Sequence, residues 1–386
     1  METTPSSLPE MKKSEEKDPD FEESKSEARS EKVRTIWIII LAFMLLASLG
    51  VIVWLVLSGR TDQRIHGDNL SAFTDNKEPD SSQNKKDNID PGTVVNDREI
   101  NLTDYDSNIT ITEGEEHILS GILNYSVLVN AEVPVTLTLN GVTISSSETS
   151  AIANQSEKPL TIILAEGTTN TLTDGGESVY DGAIFSNGPL TIRALGSDNT
   201  IGSLIVSGRQ KDGEGIATKN ADLIIESGKI MVTSNDDGLN AGGDSGGTIS
   251  VEGGVLWIKA EGDGIDSNGD IKINGGNLLI MSTSKDNSSL DSEAGIFING
   301  GNVVALGSGM PETPSGSSAQ KSLSIELNET VPNGATVYIK NTTTGKIVNF
   351  KTESSFSTLV FSMPSTEVGD YELSIDGRVI GTGIVK

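Results

Sequence analysis

The sequence predicts an all-β protein, a right-handed parallel β-helix of about seven coils with a C-terminal β cap, preceded by one transmembrane helix. Three observations lead to this prediction. A pattern of glycine, or in one copy serine, followed by an apolar residue recurs every 23 to 26 residues, at Gly215, Gly238, Gly264 and Ser289. Short apolar segments inside each repeat alternate with a period of two, which is the geometry of strands. One uncharged segment of 23 residues precedes the repeats.

The chain begins with a polar tail and an apolar segment. Residues 1–34 mix charges with little apolar content, so we predict a disordered cytoplasmic tail. The 23 uncharged residues of Thr35–Leu57 are long enough to cross a bilayer as a helix. A cleaved signal peptide is disfavoured, because the apolar run is too long and no clear small-residue cleavage site follows. Trp37 and Trp54 suit the two membrane interfaces.

Basic residues set the predicted orientation. The tail carries Lys32 and Arg34 beside the membrane, whereas only Arg60 and Arg64 follow the apolar segment closely. The side richer in Lys and Arg faces the cytoplasm. We therefore predict a single-pass protein of the cell membrane with an extracellular C-terminal domain, tethered by a flexible extracellular linker over residues 58–98.

The repeats occupy most of the predicted extracellular domain, residues 99–310. Each copy reads as glycine and an apolar residue, a polar loop, a short alternating strand, a Gly-Gly or Ser-Gly pair, and a second apolar strand. Looser copies begin at Ala151 and Ala183, and Val135–Ile144 resembles the start of the series. The four clearest copies are Gly215–Val232, Gly238–Ile258, Gly264–Ile280 and Ser289–Leu306.

A fixed period of this length indicates a solenoid. Three short strands and their turns in each period are typical of a parallel β-helix. Leucine-rich repeats are disfavoured, because their leucine signature and helical stretches are missing from the sequence. The blades of a β-propeller would need about 40 residues or more per repeat. Residues 311–386 change to longer alternating strands, and we predict a C-terminal β segment that caps the solenoid.

Acidic residues recur at two positions of the repeat. When the copies are aligned on the recurring glycine, Glu214, Asp237 and Asp263 fall in one column directly before it. A second column, two places after it, holds Asn240, Asp266 and Asp291. Hydrogen-bonded strands lie about 4.8 Å apart, so aligned carboxylates would repel one another by roughly 3.5 kcal/mol at an effective dielectric constant near 20. A cation between them would remove that cost, and oxygen-only ligands favour calcium. The predicted metal ligands are Asp236, Asp237, Asn240, Asp263, Asp266 and Asp291.

Each Asp-Gly pair taken singly has a simpler interpretation, in which the residues are chosen only for the geometry of a turn. An EF-hand is excluded, because the acids have the wrong spacing and flanking helices are not predicted. A nine-residue calcium-binding repeat is also disfavoured, since no nine-residue period follows Gly262–Asp266.

Composition excludes several classes of function. The chain has no cysteine and only two histidines, His66 and His117, far apart in sequence. Thiolate metal sites are therefore excluded, and a histidine-rich zinc site or a Ser-His-Asp triad is disfavoured. The net charge of -27 makes nucleic acid a poor partner and divalent cations favourable ones.

The pattern resembles a known family, the pectate-lyase-like, calcium-binding parallel β-helix carbohydrate-binding domains of bacterial surface proteins. The resemblance covers roughly residues 100–386. The segments that carry it are His117–Leu123, Val135–Ser147, Leu160–Gly175, Asp236–Ala241, Ala260–Asp266 and Ile298–Ser315. It implies binding of calcium, cellulose and acidic sugars. One departure is that Ser288 and Ser289 stand where an acid and a glycine are expected, so a metal site between the last coils should be weaker.

The resemblance and the acidic columns together predict a membrane-anchored extracellular protein that binds acidic or plant-type polysaccharide, such as polygalacturonate or cellulose, with calcium as cofactor. Candidate sugar-contacting residues are Trp257 and Lys259, which share the face of a strand opposite Leu256 and Ile258. Trp257 is expected to be solvent-facing if Leu256 points inward. Tyr180, in a polar loop, is a weaker candidate.

Two other functions stay open. A calcium-dependent pectate-type lyase would use an arginine as base, and Arg193 and Arg209 are the candidates. Neither falls in the acidic columns, so no catalytic residue is assigned. The third possibility is a structural or adhesive surface protein in which calcium only stiffens the rod.

Overall fold

The computed structural model of the protein describes residues 89–386, with the exception of residues 177, 310 and 311. The predicted tail, the predicted transmembrane helix and most of the predicted linker lie outside the described residues. Within the described part, no helix has the length and apolar character needed to span a membrane. Apart from a 3-10 helix of three residues, Leu102–Asp104, residues 89–386 as described are built from strands and turns.

The strands fall into a stacked region and a C-terminal region. Those of the stacked region are β1 Thr93–Val94, β2 Glu99–Asn101, β3 Ile109–Ile111, β4 Glu116–Leu123, β5 Val127–Val129, β6 Val135–Ser145, β7 Ile152–Asn154, β8 Leu160–Leu164, β9 Thr169–Thr173, β10 Ile184–Ser186, β11 Leu190–Ala194, β12 Ser203–Gly208, β13 Ile216–Lys219, β14 Leu223–Ile225, β15 Lys229–Ser234, β16 Leu239–Gly242, β17 Ile249–Val251, β18 Val255–Ala260, β19 Ile265–Ser267, β20 Asp270–Ile273, β21 Asn277–Ser282, β22 Leu290–Ser292, β23 Gly295–Ile298 and β24 Asn302–Gly307. Those of the C-terminal region are β25 Ser322–Val331, β26 Thr336–Asn341, β27 Ile347–Lys351, β28 Phe356–Ser362, β29 Gly369–Ile375 and β30 Arg378–Val385.

Strands of the stacked region pair in parallel, each with the equivalent strand of the next repeat. The first ladder is a nine-stranded sheet in the order β1-β3-β5-β7-β10-β13-β16-β19-β22. A second ladder runs β6-β8-β11-β14-β17-β20-β23, and a third runs β6-β9-β12-β15-β18-β21-β24. The all-β class is thus confirmed, whereas the handedness of the winding and the number of coils stay predictions.

The core lies between the ladders, because alternate residues of each strand point inward. In β18, Leu256, Ile258 and Ala260 are buried, while Trp257 and Lys259 are partly exposed. Isoleucine, leucine and valine fill these inward positions from Ile100 to Ala305. Their branched side chains suit a pleated surface that is buried on one face.

The C-terminal region closes the end of the stack and continues beyond it. Strand β28 pairs antiparallel with β24, the last strand of the third ladder, and β25 pairs antiparallel with β28. A separate four-stranded sheet has the order β27-β26-β29-β30. Because β24 is paired along both edges, the third ladder does not end in an open strand there, and open strands promote association between chains.

A second apolar core joins this C-terminal region to the outer face of the third ladder. Met281, Val304 and Leu306 from the ladder pack with Phe356, Phe361 and other residues of the C-terminal strands. Gly381 and Gly383 in β30 lie directly over side chains of β25, where a Cβ would be only 2.5 and 2.7 Å from leucine carbons. The C-terminal region therefore covers the side of the stack as well as its end.

Candidate metal centre

The recurring glycines mark the closest approach between successive repeats. A Cβ added to Gly238 would lie 2.2 Å from Cγ2 of Ile258 and 2.5 Å from the carbonyl oxygen of Gly264. Gly215 and Gly264 meet the same obstacles, with contacts of 2.2 and 2.3 Å to an inward valine or isoleucine. Distances below 3 Å cannot be accommodated without moving the backbone. Glycine is therefore required here by space.

The predicted alignment of the repeats is observed. The backbone N–H of each recurring glycine donates to a carbonyl of the next repeat. The acceptor belongs to the residue directly before the next recurring glycine, or before Ser289 in the last repeat. The three bonds are Gly215 to Asp237 at 2.8 Å, Gly238 to Asp263 at 2.9 Å and Gly264 to Ser288 at 3.0 Å. The residues that precede the glycines consequently form one column on the structure, as the sequence indicated.

A second column follows the glycines on the outer face of the first ladder. Asn240 of β16, Asp266 of β19 and Asp291 of β22 are direct register partners. Asp263 of the first column comes close to them: Asp263, Asp266 and Asp291 each offer a carboxylate oxygen, and these oxygens lie within 4.8 Å of one another. All three side chains are half-buried.

Hydrogen bonds position this group of acids. Asp237 accepts the backbone N–H of Asp263 through Oδ1 at 2.7 Å and the side-chain amide of Asn240 through Oδ2 at 2.8 Å. The same amide donates to Oδ2 of Asp266 at 3.0 Å. Asp263 in turn accepts the backbone N–H of Ser288. Asp237 and Asn240 thus orient the acids, and Ser288 keeps a role through its backbone although its side chain is not acidic.

Burial and mutual repulsion raise the pKa values of these carboxyl groups. Desolvation raises the pKa of Asp263 from 3.8 to about 7, and the charge of Asp237 adds to the increase. Desolvation likewise raises the pKa of Asp266 to about 7, followed by the charges of Asp237, Asp263 and Asp291. The pKa of Asp237 is raised as well, mainly by burial. Without a cation, the cluster therefore holds protons near neutral pH.

Glu312 adds an acid that the sequence analysis did not assign. It lies in the loop between β24 and β25, and its Oε2 accepts the backbone N–H of Ser292 at 3.2 Å. Desolvation and then the charge of Asp291 raise its pKa from 4.5 to about 7. The loop thus brings a carboxyl group to the last repeat. The sequence predicts a weaker metal site there, because Ser288 stands where an acid is expected. No repeat period could reveal it, because Glu312 lies outside the repeats.

The acidic region continues toward the preceding repeats. Burial raises the pKa of Glu214 well above its usual value, and the charges of Asp181, Asp237 and Asp236 add to this effect. Among the described residues, Oε2 of Glu214 is buried without a hydrogen-bond partner. Oδ1 atoms of Asp236 and Asp237 both lie beside Gly262, within 2.5 Å of the position that a Cβ would take there. Asp236 therefore lines the acidic region but is not one of the three converging acids.

The donor set fits a calcium ion. Calcium takes six to eight oxygen ligands and tolerates irregular geometry. Asp263, Asp266 and Asp291 would hold the ion, and Glu312 and Asp237 lie beside them. The described residues contain no cysteine, and the one histidine among them, His117, bonds to backbone carbonyls far from these acids. An oxygen-only site of this kind disfavours zinc and copper.

Trp257 is placed differently from the solvent-facing position expected of it. It lies on the outer face of the third ladder between Met231 and Leu279, its register partners. The ring packs on the C-terminal core, and its Nε1–H donates to Oε2 of Glu353 at 2.9 Å. The C-terminal region thus engages Trp257. Lys259 follows on the same face, partly exposed.

Tyr180 is half-buried over the outer face of the first ladder. Its ring lies 5.4 Å from that of Phe185, at an angle of 37°. It packs on a small apolar group formed by Ile89, Leu128 and Ala153. Its hydroxyl oxygen accepts the side-chain amide of Gln155 at 2.9 Å. One face of the ring therefore has a structural role.

The two arginines considered as lyase bases lie apart from the converging acids. Arg193 is in β11 of the second ladder, paired with Ile163 of β8. Arg209 follows β12, and its backbone N–H donates to Oδ1 of Asp174 at 2.5 Å. Neither belongs to the first ladder, which carries Asp266 and Asp291.

Comparison with known proteins places the chain in a family. Residues 105–354 match the family described as carbohydrate-binding domain-containing protein. The match spans more than half of the chain, and the chain belongs to this family. A search of curated proteins finds no match. Among solved structures, the chain is similar to a polysaccharide lyase-like protein from C. thermocellum, determined as a gadolinium derivative, with 25% identity, a TM-score of 0.37, and coverage of 56% of this chain and 87% of that chain.

Proposed function

We propose that this protein binds acidic polysaccharide through calcium held by Asp263, Asp266 and Asp291. The observation that carries the proposal is the convergence of these three carboxylates within 4.8 Å on the outer face of the first ladder. Membership of a carbohydrate-binding family supports a polysaccharide as the partner. The position on an outer face supports access by a long polymer.

Charge explains why a cation would be needed. The chain carries a net charge of -27, so a polyuronate such as polygalacturonate would be repelled from its surface. A calcium ion bound by three aspartates has further coordination positions, because calcium takes six to eight ligands. Carboxylates and hydroxyls of the sugar can fill these positions. The ion would then attach the polymer to a surface that otherwise repels it.

We also propose the arrangement in which this site is presented. The three parallel ladders support a chain that winds as a right-handed parallel β-helix of about seven coils. The predicted helix over Thr35–Leu57, outside the described residues, would anchor the protein in the cell membrane. The tether would then be residues 58–88, because β1 Thr93–Val94 already belongs to the first ladder. The domain would then face the exterior, where calcium and polysaccharide are both available.

The proposal is tested with the full chain purified in a non-glycosidic detergent. Binding to polygalacturonate is measured by calorimetry in calcium and in chelator, and we expect binding only in calcium. Asp266→Asn keeps the shape of the side chain but removes a charge, so it should weaken binding by at least about tenfold, since a lost charged ligand is worth more than 1.4 kcal/mol. The matched control is Asp370→Asn, at an exposed position of β29 in the C-terminal sheet.

Three outcomes would contradict the proposal. Equal binding in calcium and chelator would show that the acids are turn residues and that the polymer binds by other means. A rise in absorbance from unsaturated sugar products would show that the protein is a lyase, and Arg193→Lys and Arg209→Lys would then identify the base. Binding of calcium without any glycan would favour the structural or adhesive function.

A further inference from the structure

A groove lies on the stack at the turns that leave the first ladder, apart from the converging acids. Its volume is about 800 Å³. Polar side chains line it, including Gln155, Glu157, Lys219, Asp222 and Ser245. None of these is among the acids that converge around Asp266.

Unequal turn lengths create the groove. The turn after β7 runs from 155 to 159 and the turn after β16 from 243 to 248, whereas the turns after β10 and β13, at 187–189 and 220–222, have only three residues each. The two long turns stand out as walls and the two short turns form the floor. Since strands lie about 4.8 Å apart, the walls are about 14 Å apart at the backbone.

The floor and the wall after β7 are held by hydrogen bonds from the strands beneath them. In β7, β10 and β13, a buried polar side chain in one of the last two positions of the strand bonds to a carbonyl of the turn that follows. The bonds are Asn154 Nδ2 to Lys158 O at 2.8 Å, Ser186 Oγ to Gly188 O at 2.7 Å, and Thr218 Oγ1 to Ala221 O at 2.7 Å. The repeat of this arrangement makes the turns rigid, and a rigid site loses less conformational entropy when it binds a ligand.

One wall is also attached to the floor. Oδ1 of Asn220 accepts the backbone N–H of Ser245 at 2.9 Å, and Oδ1 of Asp222 accepts that of Thr248 at 2.8 Å. Asn220 adopts a left-handed backbone conformation, with φ of 58°. The groove is thus formed before any ligand arrives.

Several polar groups of the groove remain available to a ligand. Among the described residues, Nζ of Lys219, Nδ2 of Asn220, Oδ2 of Asp222 and the carboxylate of Glu157 have no hydrogen-bond or ion-pair partner. Lys219, Asn220, Asp222 and Glu157 are all exposed at the groove. Together they present both donors and acceptors, which are what adjacent sugar hydroxyls require.

The charge of the lining selects among sugars. Glu157 and Asp222 outnumber the single cation, Lys219, so the groove has an excess of negative charge. A uronate carboxylate would be repelled, whereas a neutral sugar would not. We propose that this groove is a second carbohydrate subsite, which takes neutral, hydroxyl-rich sugar residues without calcium. The proposal rests on the carbohydrate-binding function proposed above but not on the metal centre.

The test uses the full chain in non-glycosidic detergent and two kinds of probe. Neutral probes are hydroxyethylcellulose, neutral arabinoxylan and galactan, and the acidic probe is polygalacturonate. We expect at least one neutral probe to bind equally in calcium and in chelator. Ser245→Trp should fill the groove and weaken that binding more than tenfold, and Lys219→Met should weaken it about fivefold, because it removes the charged donor.

Matched controls separate the groove from the metal centre. Lys340→Met, at an exposed position in β26, should change neither kind of binding. Both groove variants should bind polygalacturonate in calcium as the unaltered protein does, which also shows that they fold. The inference is overturned if no neutral probe binds, if chelator abolishes neutral binding, or if both groove variants bind neutral probes normally. Neutral binding that persists without polygalacturonate binding would instead refute the calcium-dependent function alone.

Discussion

The acids of the candidate metal centre should make the metal-free protein less stable as the pH rises toward neutrality. The pKa values of Asp263 and Asp266 are raised by burial, and then by neighbouring charges, from 3.8 to about 7. Between those two pH values the folded protein binds more protons than the unfolded chain. The free energy of unfolding therefore decreases with pH in this window. The contribution is fully present below pH 3.8 and is lost by about pH 7.

The size of the effect follows from the two pKa values. A pKa difference of one is about 1.4 kcal/mol, so each carboxyl group would contribute about 4 kcal/mol if it were fully shielded from solvent. Both side chains are only half-buried, so solvent screening reduces this value. We expect the free energy of unfolding to fall by about 2 kcal/mol between pH 5 and pH 7.5 in chelator.

Calcium should reverse the trend. Carboxylates bind the ion only when they are deprotonated, so affinity for calcium increases over the same pH window. With saturating calcium, the free energy of unfolding should stay level or rise between pH 5 and pH 7.5. Urea denaturation at each pH, followed by circular dichroism, measures both curves.

Variants identify the groups responsible for the trend. The double variant Asp263→Asn/Asp266→Asn should lose most of the pH dependence in chelator. The remainder comes from other carboxyl groups whose pKa values are also raised by burial: Asp174, Glu214, Asp237 and Glu312. Asp370→Asn, at an exposed strand position, should leave the slope unchanged. A free energy of unfolding that is flat or increases with pH in chelator would refute the reasoning.

Two further predictions concern packing. Gly238→Ala should lower the free energy of unfolding by about 2 kcal/mol or more in urea denaturation, because its Cβ would meet Ile258 at 2.2 Å. Gly316→Ala, where no atom lies within 4 Å of a Cβ, should be nearly neutral, and an equal cost at both sites would contradict the argument from space. Trp257→Phe should cost about 1 to 2 kcal/mol and increase hydrogen exchange in the C-terminal strands, since it leaves Glu353 without its donor. Glu353→Gln retains an acceptor and should cost less.

The period of the sequence was sufficient to predict the alignment of the repeats. Gly215, Gly238 and Gly264 are fixed by contact with the neighbouring repeat, so they recur wherever that contact recurs. The residue before each glycine and the second residue after it therefore occupy equivalent places, and Asp263 and Asp266 could be assigned to adjacent columns. These inferences depend only on local spacing.

Contacts between distant segments could not be predicted in this way. Trp257 meets Glu353 across nearly a hundred residues, and alternation along β18 shows only that the ring points outward, not what covers it. Glu312 reaches Asp291 from a loop without a repeat. The groove beside Lys219 depends on differences in turn length among repeats, whereas an alignment emphasises what the repeats share.

The outer face of the first ladder explains why the candidate metal centre lies where it does. In the earlier repeats its central positions are apolar and buried, as at Leu128, Ala153 and Phe185, because Tyr180 and Ile89 cover them. The same positions become Asn240, Asp266 and Asp291 in the later repeats. A continuous ladder thus carries a structural half and an acidic half, and the strand register that stacks isoleucines inside brings carboxylates together outside.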